Sequence, residues 1–214
     1  MDWSDSWRDA FRIELRAEAV GLAWRGWPVL PGSYPDLDGH WLGGDGSRCA
    51  GLMPIHDDWA DRGATAPERT AQFWNGAPYS LLVATGTVLD AVEVNDHLGR
   101  RVAAVLRGTG VPVPIVATPD GRWLFLTEVG SSPMDPQFAS HGVRLHSTGS
   151  YIPVPPSPSS TGIVHWRVKP QVCGWRLPAV DVVYDAVVRA LGDPANLALA
   201  HPIVALAGIQ RLSA

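Results

Sequence analysis

Residues 79–98 read Tyr79-Ser80-Leu81-Leu82-Val83-Ala84-Thr85-Gly86-Thr87-Val88-Leu89-Asp90-Ala91-Val92-Glu93-Val94-Asn95-Asp96-His97-Leu98. The run over 79–85 is apolar and of strand length, and Gly86 closes it. Residues 88–94 read as a second strand, with Glu93 next to its last position. From Asp96 the period changes: Leu98, Val102, Val105 and Leu106 fall on one side of a helix over 96–107, and Gly108 and Gly110 end it. Two strands feeding a helix fix the middle of the molecule, and the rest is read outward from them.

Downstream, residues 111–118, an Asp120-Gly121 turn and residues 122–127 predict a hairpin. Residues 141–154 predict another strand pair, interrupted at Ser147 to Ser150. A Pro/Ser-rich stretch over 153–160 is extended or turning, and 164–168 is a short strand. Val180, Val183, Tyr184, Val187, Val188 and Leu191 then mark an amphipathic helix over 178–191, broken by Asp193-Pro194. Upstream, 67–74 is a short helix with Pro67 at its start and Thr65 as the expected N-cap. Residues 32–66 are rich in Gly, Asp and Pro and read as a long loop. Residues 27–31 form a short strand. Before it, Trp7, Phe11, Leu15, Ala19 and Leu22 recur at helical spacing over 4–25, with Ser4 or Asp5 as cap and Gly26 at the end.

Strands in the middle, one helix among them and amphipathic helices at both ends predict an α+β fold with a central, mostly antiparallel or mixed sheet. The order lacks the regular alternation of a doubly wound sheet. We expect one domain over 1–192 and an apolar tail over 193–214. Pro194 and Pro202 limit any helix in that tail, which either packs on the same domain or docks a protein partner or a second copy.

Composition narrows the function classes. In 214 residues, 46% are hydrophobic and 18% charged, which excludes a disordered chain. The formal net charge is -4 and no basic run occurs, which weakens binding to duplex DNA but leaves room for a local basic patch. Cys49 and Cys173 cannot build a four-thiolate metal site, and a disulfide between them has no motive in a reducing compartment. The start, Met1-Asp2-Trp3-Ser4-Asp5, carries acids where a signal peptide needs bases. The longest apolar stretch, 197–208, is broken by His201 and Pro202 and is too short to span a bilayer. A cytoplasmic location with no membrane partner is expected.

Several chemistries find no motif. Ser80, Ser131, Ser147 and Ser157 lack the Gly-x-Ser-x-Gly context, and neither a Walker phosphate loop nor a dinucleotide glycine fingerprint occurs. His40, Asp45, His56, Asp57, Asp58 and Asp61 match no ligand spacing and read as a solvated acidic stretch. Trp3, Trp7, Trp24 and Trp27 form either packing groups or a stacking platform for single strands.

Five segments, in order over roughly 17–170, carry a resemblance. They are Ala23-Trp24-Arg25-Gly26-Trp27-Pro28-Val29-Leu30-Pro31; Trp59-Ala60 through Pro67-Glu68-Arg69 to Phe73-Trp74; the 79–95 stretch; Thr118-Pro119-Asp120-Gly121-Arg122-Trp123-Leu124-Phe125; and Gly142-Val143-Arg144-Leu145-His146 with Gly149-Ser150-Tyr151-Ile152-Pro153-Val154-Pro155-Pro156-Ser157. Together they resemble the bifunctional primase/polymerase domain of the archaeo-eukaryotic primase superfamily, in a small, stand-alone, actinobacterial-type form. The resemblance implies a primase/polymerase-like core and nucleotidyl transfer. Two acids one residue apart on a strand, plus a third acid, hold two divalent cations, and a His helps hold the incoming phosphates.

The sequence departs from that pattern. The acidic pair falls on Glu93 and Asn95, the His position on Trp123 and the third acid on Arg144. One carboxylate beside an Arg is a poor site for Mg2+ or Mn2+. Asp96 serves instead of Asn95 only if the strand bulges or ends there. Cys49 and His56 are at most a remnant of a Cys/His loop that the family often carries. Arg122, Arg144, His146 and Arg167, brought together by such a fold, would bind a nucleotide or single-stranded nucleic acid without catalysis, or else are scattered strand-surface charges. The expected function is therefore a degenerate primase/polymerase-like pseudoenzyme with a binding role and no cofactor. The alternatives are an active, divergent transferase on Glu93 and Asp96 with Mg2+ or Mn2+, and a regulator that docks through its tail.

Overall fold

The apolar stripe of the first helix sets the frame. In the computed structural model, which describes residues 3–36, 38–61 and 66–192, that stripe lies on α1 (Trp3–Ala23), with Leu15, Ala19 and Leu22 buried. The chain leaves α1 through Gly26 at φ +78, a left-handed conformation that glycine adopts without strain. It enters β1 (Val29–Gly32), all of it buried.

The next stretch departs from expectation. Instead of a loop over 32–66, the described part carries a meander of three two-residue strands: β2 (Tyr34–Pro35), β3 (Trp41–Leu42) and β4 (Arg48–Cys49). Two-residue strands are too short for any alternation to show in sequence. What holds this segment is tertiary: the Ser33 hydroxyl donates to the Gly51 carbonyl at 2.7 Å and accepts from the Met53 N–H at 3.0 Å. A short 3-10 turn, Trp59–Asp61, follows. The next helix, α2 (Pro67–Phe73), has Pro67 in its first turn, but its N-cap is Ala66, without a side-chain bond. Thr65, the expected cap, lies outside the described residues. Arg16 on α1 ties the two helices together by donating to the Ala71 carbonyl at 3.1 Å.

The central strands stand as expected: β5 (Ser80–Ala84), β6 (Asp90–Asn95), α3 (Asp96–Thr109) and the hairpin of β7 (Ile115–Ala117) with β8 (Arg122–Thr127). A short helix, α4 (Pro136–Ser140), was not anticipated. It precedes β9 (Arg144–His146) and β10 (Tyr151–Pro153). These two are not a pair, as the sequence led us to expect. The first joins β6 and the second joins β5, so the 147–150 turn carries the chain from one sheet to another. A two-stranded ribbon, β11 (Pro158–Ser159) with β12 (Gly162–Ile163), then β13 (His165–Val168) and α5 (Val180–Gly192), complete the described chain. The tail from 193 lies outside it.

The sheets are antiparallel throughout: a five-stranded one in the order β13-β7-β8-β6-β9, and a three-stranded one in the order β1-β5-β10. Alternation then builds two cores. Val92 and Val94 of β6, with Trp123 and Phe125 of β8, face α3 and α5. Ala91, Leu124 and Leu126 face the other way, against Leu81 and Val83 of the three-stranded sheet and against α1. No described helix is long and apolar enough to cross a membrane.

Candidate functional site

Glu93 stands where the apolar face between the two sheets turns polar. Its strand neighbours in pleat are Ala91 and Asn95, so its side chain points toward the three-stranded sheet. Across β8 its direct partner is Leu124, with Arg122 opposite Asn95. Across β9 its partner is Arg144, with His146 opposite Ala91. Paired residues project to one face, so Glu93, Arg122, Arg144 and His146 meet there.

The geometry is closely tied. Arg122 donates through Nε to Glu93 Oε1 at 2.7 Å, and its Nη2 lies at the same distance from that oxygen. Nη2 also donates to the Gly142 carbonyl at 3.0 Å. His146 Nε2 is 2.7 Å from Glu93 Oε2. An ionised carboxylate only accepts, so Nε2 carries the hydrogen, and Nδ1 meets the Ser150 hydroxyl at 3.0 Å. The Glu93 side chain is 13% exposed. Burial alone would raise its pKa, but the hydrogen bonds and charges of His146 and Arg122 outweigh it and hold the carboxyl at about 2.

The turn after His146 is clamped by Thr85, the residue that follows β5. The Thr85 N–H donates to the Ser150 carbonyl at 2.9 Å and its hydroxyl to the Ser147 carbonyl at 2.7 Å. Gly86, at φ +92, lies so close that a Cβ there would be 2.3 Å from Thr148 Cα. The sequence reading gave Gly142, Ser147, Ser150 and Thr85 no place in the site. Ser150, four residues after a His, was the one available signal.

The other anticipated positions separate. Asn95 ends β6 and caps α3: its Oδ1 accepts the Leu98 N–H at 2.8 Å. Asp96 opens the helix and pairs with Arg100 at 2.6 Å. Arg144 is exposed, and its side chain makes no ion pair or hydrogen bond among the described residues. Trp123 does not face the site at all. It is 7% exposed in the α3 layer, against Gly99, where a Cβ would sit 2.8 Å from the indole. A strand's period of two puts Arg122, not Trp123, on the Glu93 face. Arg167 also departs from the expected cluster. It lies on the far edge strand, at a register shift in β13, with its guanidinium 4.9 Å from the Trp123 ring centroid.

Elsewhere, Trp27 is buried and makes an edge contact with Trp175, while Trp24 is 70% exposed; the side chains of Trp3 and Trp7 lie outside the description. Cys49 and Cys173 are both free thiols. Asp36, Asp38 and His40 bring ligand atoms within 4.8 Å of one another, but Asp36 Oδ1 already accepts the Asp38 and His40 N–H groups in its own turn.

The model of the bifunctional DNA primase/polymerase N-terminal domain matches residues 19–180. The chain belongs to this family. The match runs from within α1 to the first residue of α5 and takes in both sheets and the Glu93 cluster. Among curated proteins nothing matches the chain. As a primase/polymerase domain, it presents on the inner face of β6, β8 and β9 one carboxylate, two guanidiniums and one imidazole.

Proposed function

We propose that this primase/polymerase-like protein is catalytically degenerate and retains a binding role, holding a phosphate group of a nucleotide or of single-stranded nucleic acid on Arg122, Arg144 and His146. The observation that carries this reading is the Glu93 carboxylate, with both oxygens taken by Arg122 and His146. The family's chemistry implies divalent cations, and these residues do not fit them. Hard cations want several anionic oxygens, whereas this face offers one carboxylate already neutralised by a guanidinium. Asn95 Oδ1 is spent on the helix cap and Asp96 on Arg100. Two guanidiniums against one carboxylate leave an excess of positive charge for a phosphate, and Arg144 is free to reach one.

The test is titration calorimetry of the protein with ATP, dATP and a 5′-phosphorylated oligonucleotide, with EDTA or with Mg2+ or Mn2+, beside a primer-extension assay. Binding in EDTA that falls about tenfold or more in Arg144→Glu, without extension, supports the reading. Metal-dependent extension lost in both Glu93→Ala and Asp96→Ala would overturn it in favour of a divergent transferase. The ending of β6 at Asn95, which frees Asp96 from the strand's alternation, is the one observation on that side.

A further inference from the structure

We propose that the cleft between the β2–β4 meander and α2 is a second binding site, for a planar nitrogen heterocycle that bears N–H donors and no phosphate. Its volume is about 700 Å3, within the range of small-molecule pockets, and it shares no lining residue with the Glu93 cluster. Half-buried Phe73 and Tyr79 give it aromatic walls, extended by His56, whose ring centroid is 5.6 Å from that of Phe73. Aromatic walls favour a flat partner. Asp57 and the Gln72 amide oxygen, both at exposed positions, accept hydrogen bonds from ring or amino N–H groups, while Asp45 Oδ1 is already held by the Ser47 N–H. Among the described residues lining the cleft there is no Lys or Arg, so its two carboxylates repel a phosphate. The walls are fixed before any ligand arrives. The Tyr79 hydroxyl donates to the Gly44 carbonyl at 3.3 Å, and Trp74 Nε1 donates to the Tyr79 carbonyl at 2.6 Å. Behind His56 and Phe73 a space of only about 10 Å3 remains, lined by Val29, Leu30 and Pro31, so a ligand stays in the outer cleft.

Cys49 lines this cleft, whereas Cys173 is 5% exposed, so alkylation of Cys49 reports occupancy. The experiment follows N-ethylmaleimide modification of the native full chain by peptide mass spectrometry, with adenosine, guanosine and cytidine as probes and AMP as the charged counterpart. At least one nucleoside is expected to slow Cys49 modification roughly threefold at twice its dissociation constant, with AMP weaker than adenosine. Gln72→Ala and Asp57→Asn, both exposed positions, should lessen the protection, each variant being compared with its own rate without nucleoside. Arg144→Glu should leave protection unchanged, which separates this site from the proposed phosphate site. An unchanged rate with all three nucleosides, or equal protection by AMP and adenosine, would overturn the proposal.

Discussion

Both oxygens of the Glu93 carboxylate are taken by Arg122 and His146 of its own chain. In the proposed binding role this makes the carboxylate a competitor of the incoming phosphate. Glu93→Gln should therefore tighten metal-free binding of ATP or a 5′-phosphorylated oligonucleotide, by roughly tenfold in calorimetry. A transferase that used Glu93 to hold metal would instead lose its metal-dependent nucleotide binding in this variant. The same residue gives a pH dependence. Its carboxyl is held at about 2, below the ordinary 4.5, so its contribution to stability is full above pH 4.5 and is lost as pH falls toward 2. Allowing for solvent screening, the loss is roughly 2 kcal/mol. Urea denaturation between pH 5.5 and 2.5 should show it in the native protein and not in Glu93→Gln.

At the scale of elements, the junction between β6 and α3 rests on the Asn95 cap. Asn95 Oδ1 takes the Leu98 N–H, a capping bond worth about 1 kcal/mol, so Asn95→Ala should lower unfolding stability by that order. Asp caps as well as Asn, so Asn95→Asp should keep stability while adding a second carboxylate beside Glu93. It should still give no primer extension, because Glu93 remains bound to Arg122 and His146. The β5 end and the 147–150 turn form a second junction. A methyl at Gly86 would meet the Thr148 backbone at 2.3 Å, in a backbone conformation that L side chains rarely adopt. Gly86→Ala should cost about 3 kcal/mol or more and displace His146, a loss read in both the melting temperature and phosphate binding.

Across the whole molecule, the five-stranded sheet supplies one wall to each of two cores, one under α3 and α5 and one under α1 and the three-stranded sheet. Val187 belongs to the first and Leu15 to the second, and both are fully buried. A shared wall couples the layers, so the protein should unfold in one transition, with far-ultraviolet circular dichroism and tryptophan fluorescence coinciding. Val187→Ala and Leu15→Ala should each move that single midpoint, by the order of 2 kcal/mol or more for Leu15→Ala. Two separated transitions would show that the layers are independent.

The sequence by itself determined the long elements and the residue types of the site. Helical and strand periods over 10–23, 79–94, 96–107 and 180–191 are local properties of a chain that buries one face, so α1, β5, β6, α3 and α5 were legible. So was the resemblance to the family over roughly residues 17–170. Only the tertiary structure decided what sits beside what. The meander over 34–49 is held by hydrogen bonds to Ser33, and strands of two residues carry no period. That β9 and β10 part into different sheets depends on the clamp by Thr85. Whether Arg122 or Trp123 faces Glu93 depends on pleat and register, in which one residue's difference reverses the face, and the same rule sends Arg167 away from the site. Residue identity said that one carboxylate remained among basic groups; the pairing of β6 with β8 and β9 made those groups its hydrogen-bond partners.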